Sequence, residues 1–169
     1  MKRSFRLLLA AAVVAAAVGL AWHYWPSEEK RIRKAIVGMA ADATFSGKEG
    51  NFAKMAKIES LAGHFTEDAD IRVDKVVELD SGLHGRESIR QVLAAGMPFI
   101  GALNVQVHDV TVEIVDETHA KALMVASAQG GGQKDIAAQE FQLRMVKEKG
   151  RWLVGAVEAV LGYRKPVIQ

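Results

Sequence analysis

The sequence contains no cysteine. This excludes a disulfide framework, a thiolate metal site, a cysteine nucleophile and a lipid anchor on an N-terminal cysteine. The redox compartment stays open, because an exported domain with a sufficient core needs no cross-links. Aromatic residues are also scarce, at 7 % of the chain, and no dense Lys/Arg stripe is interleaved with them, so nucleic-acid binding is not expected. No HxH or HxxxH pair occurs among the five histidines, which removes the usual spacing of a metal site, and neither metal nor cofactor is expected. No nucleophile elbow surrounds Ser88 or Ser127.

The chain has 169 residues, half of them hydrophobic, enough for one domain with its own core. Its pI of 8.9 reflects its N-terminus. Lys2, Arg3 and Arg6 are three of the 22 basic residues, and without them the chain is about one unit negative against its 20 acidic residues. Leu7 to Ala21 follows with no charged or polar side chain, the layout of a signal peptide or signal anchor. At ~1.5 Å per helical residue that stretch reaches about 22 Å, short of a ~30 Å hydrocarbon core. Trp22, Tyr24 and Trp25 extend it with side chains suited to the headgroup level. Residues 1–25 are therefore expected to be an uncleaved membrane anchor; a signal cleaved after Ala21 and a buried helix are the alternatives. Lys30, Arg31, Arg33 and Lys34 nearly balance the N-terminal basic residues, but a long C-terminal domain crosses largely regardless of charge. The domain is accordingly expected outside the inner membrane, in the periplasm of a Gram-negative cell.

Ser27 with Glu28 and Glu29 reads as a capped helix start. Ile32, Ile36, Met39, Ala40 and Ala43 form its apolar stripe over about 27–45. Asn51 is expected to cap a second helix with Met55, Ile58, Leu61, Ala62 and Phe65 on one face. Thr66 to Asp68 reads as a solvated turn, Ala69 to Asp74 and Val76 to Leu83 as a hairpin, and Arg86 to Gly96 as a third helix that Pro98 stops. From Asn104 the period is two. Val105–Val115, His119–Ala128, Ala138–Lys147 and Arg151–Leu161 predict four strands joined by tight turns, and Gly130 to Gly132 is a hairpin tip, not a phosphate loop.

This order, together with His84-Gly85-Arg86-Glu87-Ser88-Ile89-Arg90 before the third helix and Gly150-Arg151-Trp152-Leu153-Val154 opening the last strand, resembles the nuclear transport factor 2-like superfamily and its SnoaL-like branch. The resemblance spans roughly Glu28 to Tyr163. It implies an α+β fold: a cone-shaped, curved antiparallel sheet wrapped around about three helices, here with an N-terminal hydrophobic helix added. The domain would occupy residues 27–163, with 164–169 as a tail, enclosing an interior cavity and dimerising through its sheet. Members include isomerases, cyclases, dehydratases and non-catalytic binding modules. The ketosteroid isomerase pattern is not met. Val73 falls where its aspartate base would lie, Asp74 is one residue out, and the first helix lacks a tyrosine. One membrane span before a periplasmic domain of this fold also resembles the assembly factors of type IV secretion systems.

No catalytic residue is assigned. Glu158 alternates with Trp152, Val154, Ala156 and Val160, and on an apolar face its pKa would rise towards general acid or base work. Its plainer reading is a wet strand-end glutamate or a partner of Arg144. His108 alternates with Val110, Val112 and Ile114 and has an equally plain structural reading. His108, Met124, Trp152 and Glu158 are the candidate pocket residues, and Met39, Met55, Met97 and Met145 are either adaptable lining or core filler. A membrane-anchored, extracytoplasmic binding or interaction module is the expected function, with a small lyase or isomerase on an apolar substrate as the alternative.

Overall fold

The computed structural model describes residues 27–72, 82–96, 99, 101–130 and 137–160. The expected helix of residues 1–25, Val73 and Asp74, the hairpin stretch around Val76, Met97, Pro98, Gly131, Gly132 and the C-terminal tail lie outside them. Among the described residues no helix is long and apolar enough to cross a membrane.

Three helices and six strands follow one another: α1 (Glu28–Asp42), α2 (Asn51–Ala62), β1 (Phe65–Arg72), β2 (Leu83–His84), α3 (Arg86–Gly96), β3 (Leu103–Ile114), β4 (His119–Gly130), β5 (Ala137–Glu148) and β6 (Arg151–Ala159). The strands form one sheet in the order β2-β1-β6-β5-β4-β3. The expected meander β3 to β6 is antiparallel throughout. The sheet as a whole is not, because β1 runs parallel to β6.

Local chemistry accounts for the helix ends. The Ser27 hydroxyl accepts from the Lys30 amide, and Glu28 and Glu29 occupy the first turn of α1. Ile32, Ile36 and Ala40 are buried, and Met39 and Ala43 pack beside them. Asn51, expected as a cap, is the first helical residue of α2, and Gly50 occupies the cap position. Met55, expected on the buried stripe, is 48 % exposed, while Ile58, Leu61 and Ala62 are buried. Gly85, at φ +82°, turns the chain from β2 into α3.

The expected turn at Thr66 to Asp68 is strand. The Val154 amide donates to the His64 carbonyl, and Phe65 pairs with Val154, so β1 begins at Phe65 and Thr66 is almost fully buried. The helices cover one sheet face. Ile32, Ile36, Leu61 and Ile89 pack there with Ala120, Ala122, Met124, Leu143, Met145, Trp152 and Val154.

Beside a register shift in β1 between Phe65 and Asp70, two bulges reset the alternation of the long strands. At Asp109 (φ +51°) the β3–β4 register shifts, so Val107 and Val112 both face the core. At Gly155 β6 gains a residue against β5: Met145 pairs with Val154, Arg144 with Ala156. A Cβ on Gly155 would lie 3.0 Å from Val146 Cγ2, closer than side chains normally approach. The Arg144 guanidinium donates to the Gly155 carbonyl at 3.1 Å.

Candidate ligand-binding site

The Gly155 bulge changes the placement of Glu158. Past it, Val157 returns to the core face, and Glu158 lies exposed on the outer face beside Gln142 and Arg72. The expectation that it shares a face with Trp152 and Val154 is corrected by that one inserted residue. His108 is also exposed on the outer face, within 3.2 Å of the Ser127 hydroxyl. β4 and β5 separate their strands, a distance of about 14 Å at ~4.8 Å per strand. No single substrate atom or water bridges that distance, so the expected acid–base pair of Glu158 with His108 does not form.

Met124 and Trp152 do face inward, as core side chains, 5 % exposed each. The Trp152 indole N–H donates to Glu28 Oε2 at 2.6 Å, and Lys147 Nζ lies 3.0 Å from the same oxygen. Neither Met124 nor Trp152 lines either of the concavities beside the helices. Met145 and Met39 likewise fill the core.

The apolar concavity lies where the helices leave the sheet. Ala43, Phe45, Leu61, Val92, Leu93, Gly96 and Leu103 enclose about 230 Å³. Its construction is local. Phe45 and Leu103 exchange two backbone hydrogen bonds, of 2.7 and 2.9 Å, which pin the chain after α1 to the start of β3. The Thr44 hydroxyl bonds Ala40 and Val105 backbone groups in the same seam. Lys57 Nζ donates to the Thr44 carbonyl and to Glu49 Oε1, and it lies 5.0 Å from the Phe45 ring centroid. Hydrogen bonding to Lys57 holds the Glu49 carboxyl below its ordinary range. The rim is thus fixed by polar contacts, and no ionisable side chain lines the cavity.

A larger cleft, of about 510 Å³, runs between α2, β1 and α3 and is lined by Glu59, Ala62, Gly63, Glu67, Arg86, Glu87 and Arg90. Glu59, Glu87 and Arg90 pair with one another, and Arg86 bonds the backbone. Arg90 grips Glu87 through two nitrogens and reaches Glu59 at 3.3 Å, and Arg86 donates twice to the Phe65 carbonyl. Hydrogen bonds from Arg90 and then Gln91 pull the Glu87 carboxyl down to about 2. This open, charged seam joins the helices to the sheet. The smaller, apolar space, the less open of the two, has the character of a binding site.

Every carboxyl among the described residues with a resolved shift is depressed: Glu28, Asp42, Glu49, Asp68, Glu87 and Asp116. For Asp42, burial pushes upward, but hydrogen bonds from Ser60 and His64 outweigh it. None is poised near neutrality as a general acid. Among the described residues no group of three or more histidine or carboxylate side chains is placed to hold a metal.

Sequence reasoning missed Phe45 and Leu103. Phe45 lies between regular elements and Leu103 at the first residue of β3, ahead of the stretch whose alternation marks the strand. The available signal was an apolar residue inside the polar Thr44 to Gly47 break.

Residues 53–158 match the SnoaL-like domain family. No curated protein matches the sequence. Among solved structures, a candidate scytalone dehydratase from Novosphingobium aromaticivorans is 18 % identical, with a TM-score of 0.61 over 79 % of this chain and 85 % of that one. A protein of unknown function from Mycobacterium tuberculosis is 18 % identical, with a TM-score of 0.62 over 84 % and 82 %. A hexachlorocyclohexane dehydrochlorinase from Novosphingobium barchaimii is 15 % identical, with a TM-score of 0.57 over 78 % and 86 %. At these identities the likeness is one of fold.

Proposed function

This chain belongs to the SnoaL-like domain family, and we propose that it is a binding module for a small apolar molecule, carried on an N-terminal membrane anchor with its domain in the periplasm. The carrying observation is the cavity bounded by Phe45, Leu61, Leu93 and Leu103, with no ionisable side chain in its wall. An apolar cavity of ~150 Å³ stays dry and accepts benzene; about 230 Å³ suits a molecule of one or two rings. The exposed outer face of β3 to β6 is the surface through which two copies would pair.

A second reading, a lyase on the same class of molecule, is favoured by the names of two structural neighbours, a candidate scytalone dehydratase and a hexachlorocyclohexane dehydrochlorinase. It needs a base directed into the cavity. No described histidine or carboxylate lines it, and this weighs towards binding without turnover.

The test is thermal unfolding of the full chain in nanodiscs against a panel of one- and two-ring hydrocarbons and halogenated rings. A binder raises the midpoint with concentration by mass action. A panel without any shift contradicts the proposal, and release of water or halide from a bound compound favours the lyase.

A further inference from the structure

α1, α2 and α3 bury Ile32 and Ile36, Leu61, and Ile89 against the same sheet face. Their opposite sides therefore point away from the sheet on one side of the molecule. There α1 exposes Lys30, Lys34 and Val37, and α2 exposes Phe52 and Met55.

α2 and α3 run antiparallel. Ala62 and Gly63 face Arg86 and Glu87 across the charged cleft, Glu59 meets Arg90 at 3.3 Å, and Ile58 packs in a cluster with Leu93 and Ala94. Continuing that register brings Phe52 and Met55 to the end where α3 finishes and Phe99 follows. The apolar cavity lies at the same end, with Leu93 and Gly96 in its wall. Phe52 and Phe99 are 89 % and 90 % exposed. Apolar side chains gathered in this way mark an interaction surface.

The surrounding charge identifies the partner. Lys30, Lys34 and Lys48 are exposed and make no ion pair among the described residues, whereas Lys54, half-buried on the Ile58 face of α2, acts on the Glu49 carboxyl. The nearby acids are mostly engaged: Glu28 with Trp152 and Lys147, Asp42 with Ser60 and His64, and Glu49 with Lys57. Glu29 alone among them has no such partner. Unpaired lysines on the same side of the molecule as exposed phenylalanine and methionine match an anionic lipid surface, phosphates outside and acyl chains within. The apolar run ending at Trp25 also joins the domain at α1.

We propose that this helical side docks on an anionic phospholipid bilayer, with Phe52 and Met55 entering the headgroup–acyl boundary and Lys30, Lys34 and Lys48 meeting phosphates, so that the cavity opens towards lipid. The docking stands on its own surface chemistry and does not require the cavity to bind a ligand.

The absence of cysteine makes a single introduced one a unique label. Full-length chains carrying Ala56→Cys, on the exposed side of α2, or Lys121→Cys, on the opposite side of the molecule, are labelled with a fluorophore. They are reconstituted in vesicles of phosphatidylcholine with or without an equal part of phosphatidylglycerol, and a quencher is attached to the lipid. The expected result is several-fold stronger quenching at position 56 than at 121, dependent on phosphatidylglycerol and abolished by Phe52→Glu with Met55→Glu while far-ultraviolet dichroism is unchanged. Equal quenching at the two positions, quenching that survives the double substitution, or protection of position 56 that depends on protein density instead of lipid charge would overturn the proposal.

Discussion

The indole of Trp152 and the carboxylate of Glu28 meet at 2.6 Å across 124 residues of chain. The contact joins the first turn of α1 to the start of β6, and Lys147 closes it from β5 at 3.0 Å from the same oxygen. It fixes where α1 crosses the sheet, and with it the far end of α1, from which Ala43 and Phe45 enter the cavity wall. Replacing Glu28 by Ala leaves a buried indole donor unpaired. We expect a loss of about 1 kcal/mol, after allowing for the partial exposure of the carboxylate, measurable by urea unfolding.

Hydrogen bonding to Trp152, then to Lys147, lowers the Glu28 pKa, and Ser60 and His64 together lower that of Asp42 against its burial. A carboxyl depressed in the folded state binds its proton more readily once unfolded. Its stabilisation is complete above the unfolded pKa, about 4 for these side chains, and is lost as pH falls through the folded value. Stability should therefore fall below about pH 4. Glu28→Gln with Asp42→Asn should flatten that acid limb, and an unchanged slope in pH-dependent unfolding would contradict the assignment.

A side chain at Gly155 requires Val146 to shift. With a Cβ only 3.0 Å from Val146 Cγ2, Gly155→Val should destabilise by about 1–3 kcal/mol through overpacking. Glu158→Gln, at an exposed outer-face position, should stay within ~0.5 kcal/mol of the parent and leave ligand affinity unchanged. A large effect of Glu158→Gln on binding would return that carboxylate to the site.

Phe45 is 5 % exposed and supplies both cavity wall and a face for Lys57. Its truncation to Ala should cost about 3–5 kcal/mol and remove binding together with stability. Phe45→Leu should cost about 1 kcal/mol and shift ligand preference towards larger rings, as read by titration calorimetry.

Much of the fold was legible because its signals are local. Arg86–Gly96 follows from a glycine turn, a helical stripe and Pro98, and the four long strands follow from alternation broken at Asp116, Gly130 and Lys149-Gly150. The site was less legible because it depends on parity and on gaps. Alternation read straight through Gly155 gives Glu158 the wrong face, although a glycine inside a strand is itself the usual mark of a bulge. Thr66 reads as polar turn until β1 is seen to pair in parallel with β6, a contact spanning most of the chain. Phe45 and Leu103 acquire meaning only through the bridge between them.

Gly96 offers the most direct test of the cavity as the ligand site. It lines the apolar space, and a Cβ built on it meets nothing within 4 Å. Replacing a helical glycine where there is room should stabilise by about 0.5–1 kcal/mol. Gly96→Leu is therefore expected to fill the cavity without unfolding the chain. The decisive measurement is the thermal shift of the full chain and of Gly96→Leu with the same one- or two-ring ligand. The predicted result is a concentration-dependent shift in the parent and none in the variant, whose unliganded midpoint is equal or higher. An equal shift in both would place binding elsewhere and contradict the assignment of this cavity.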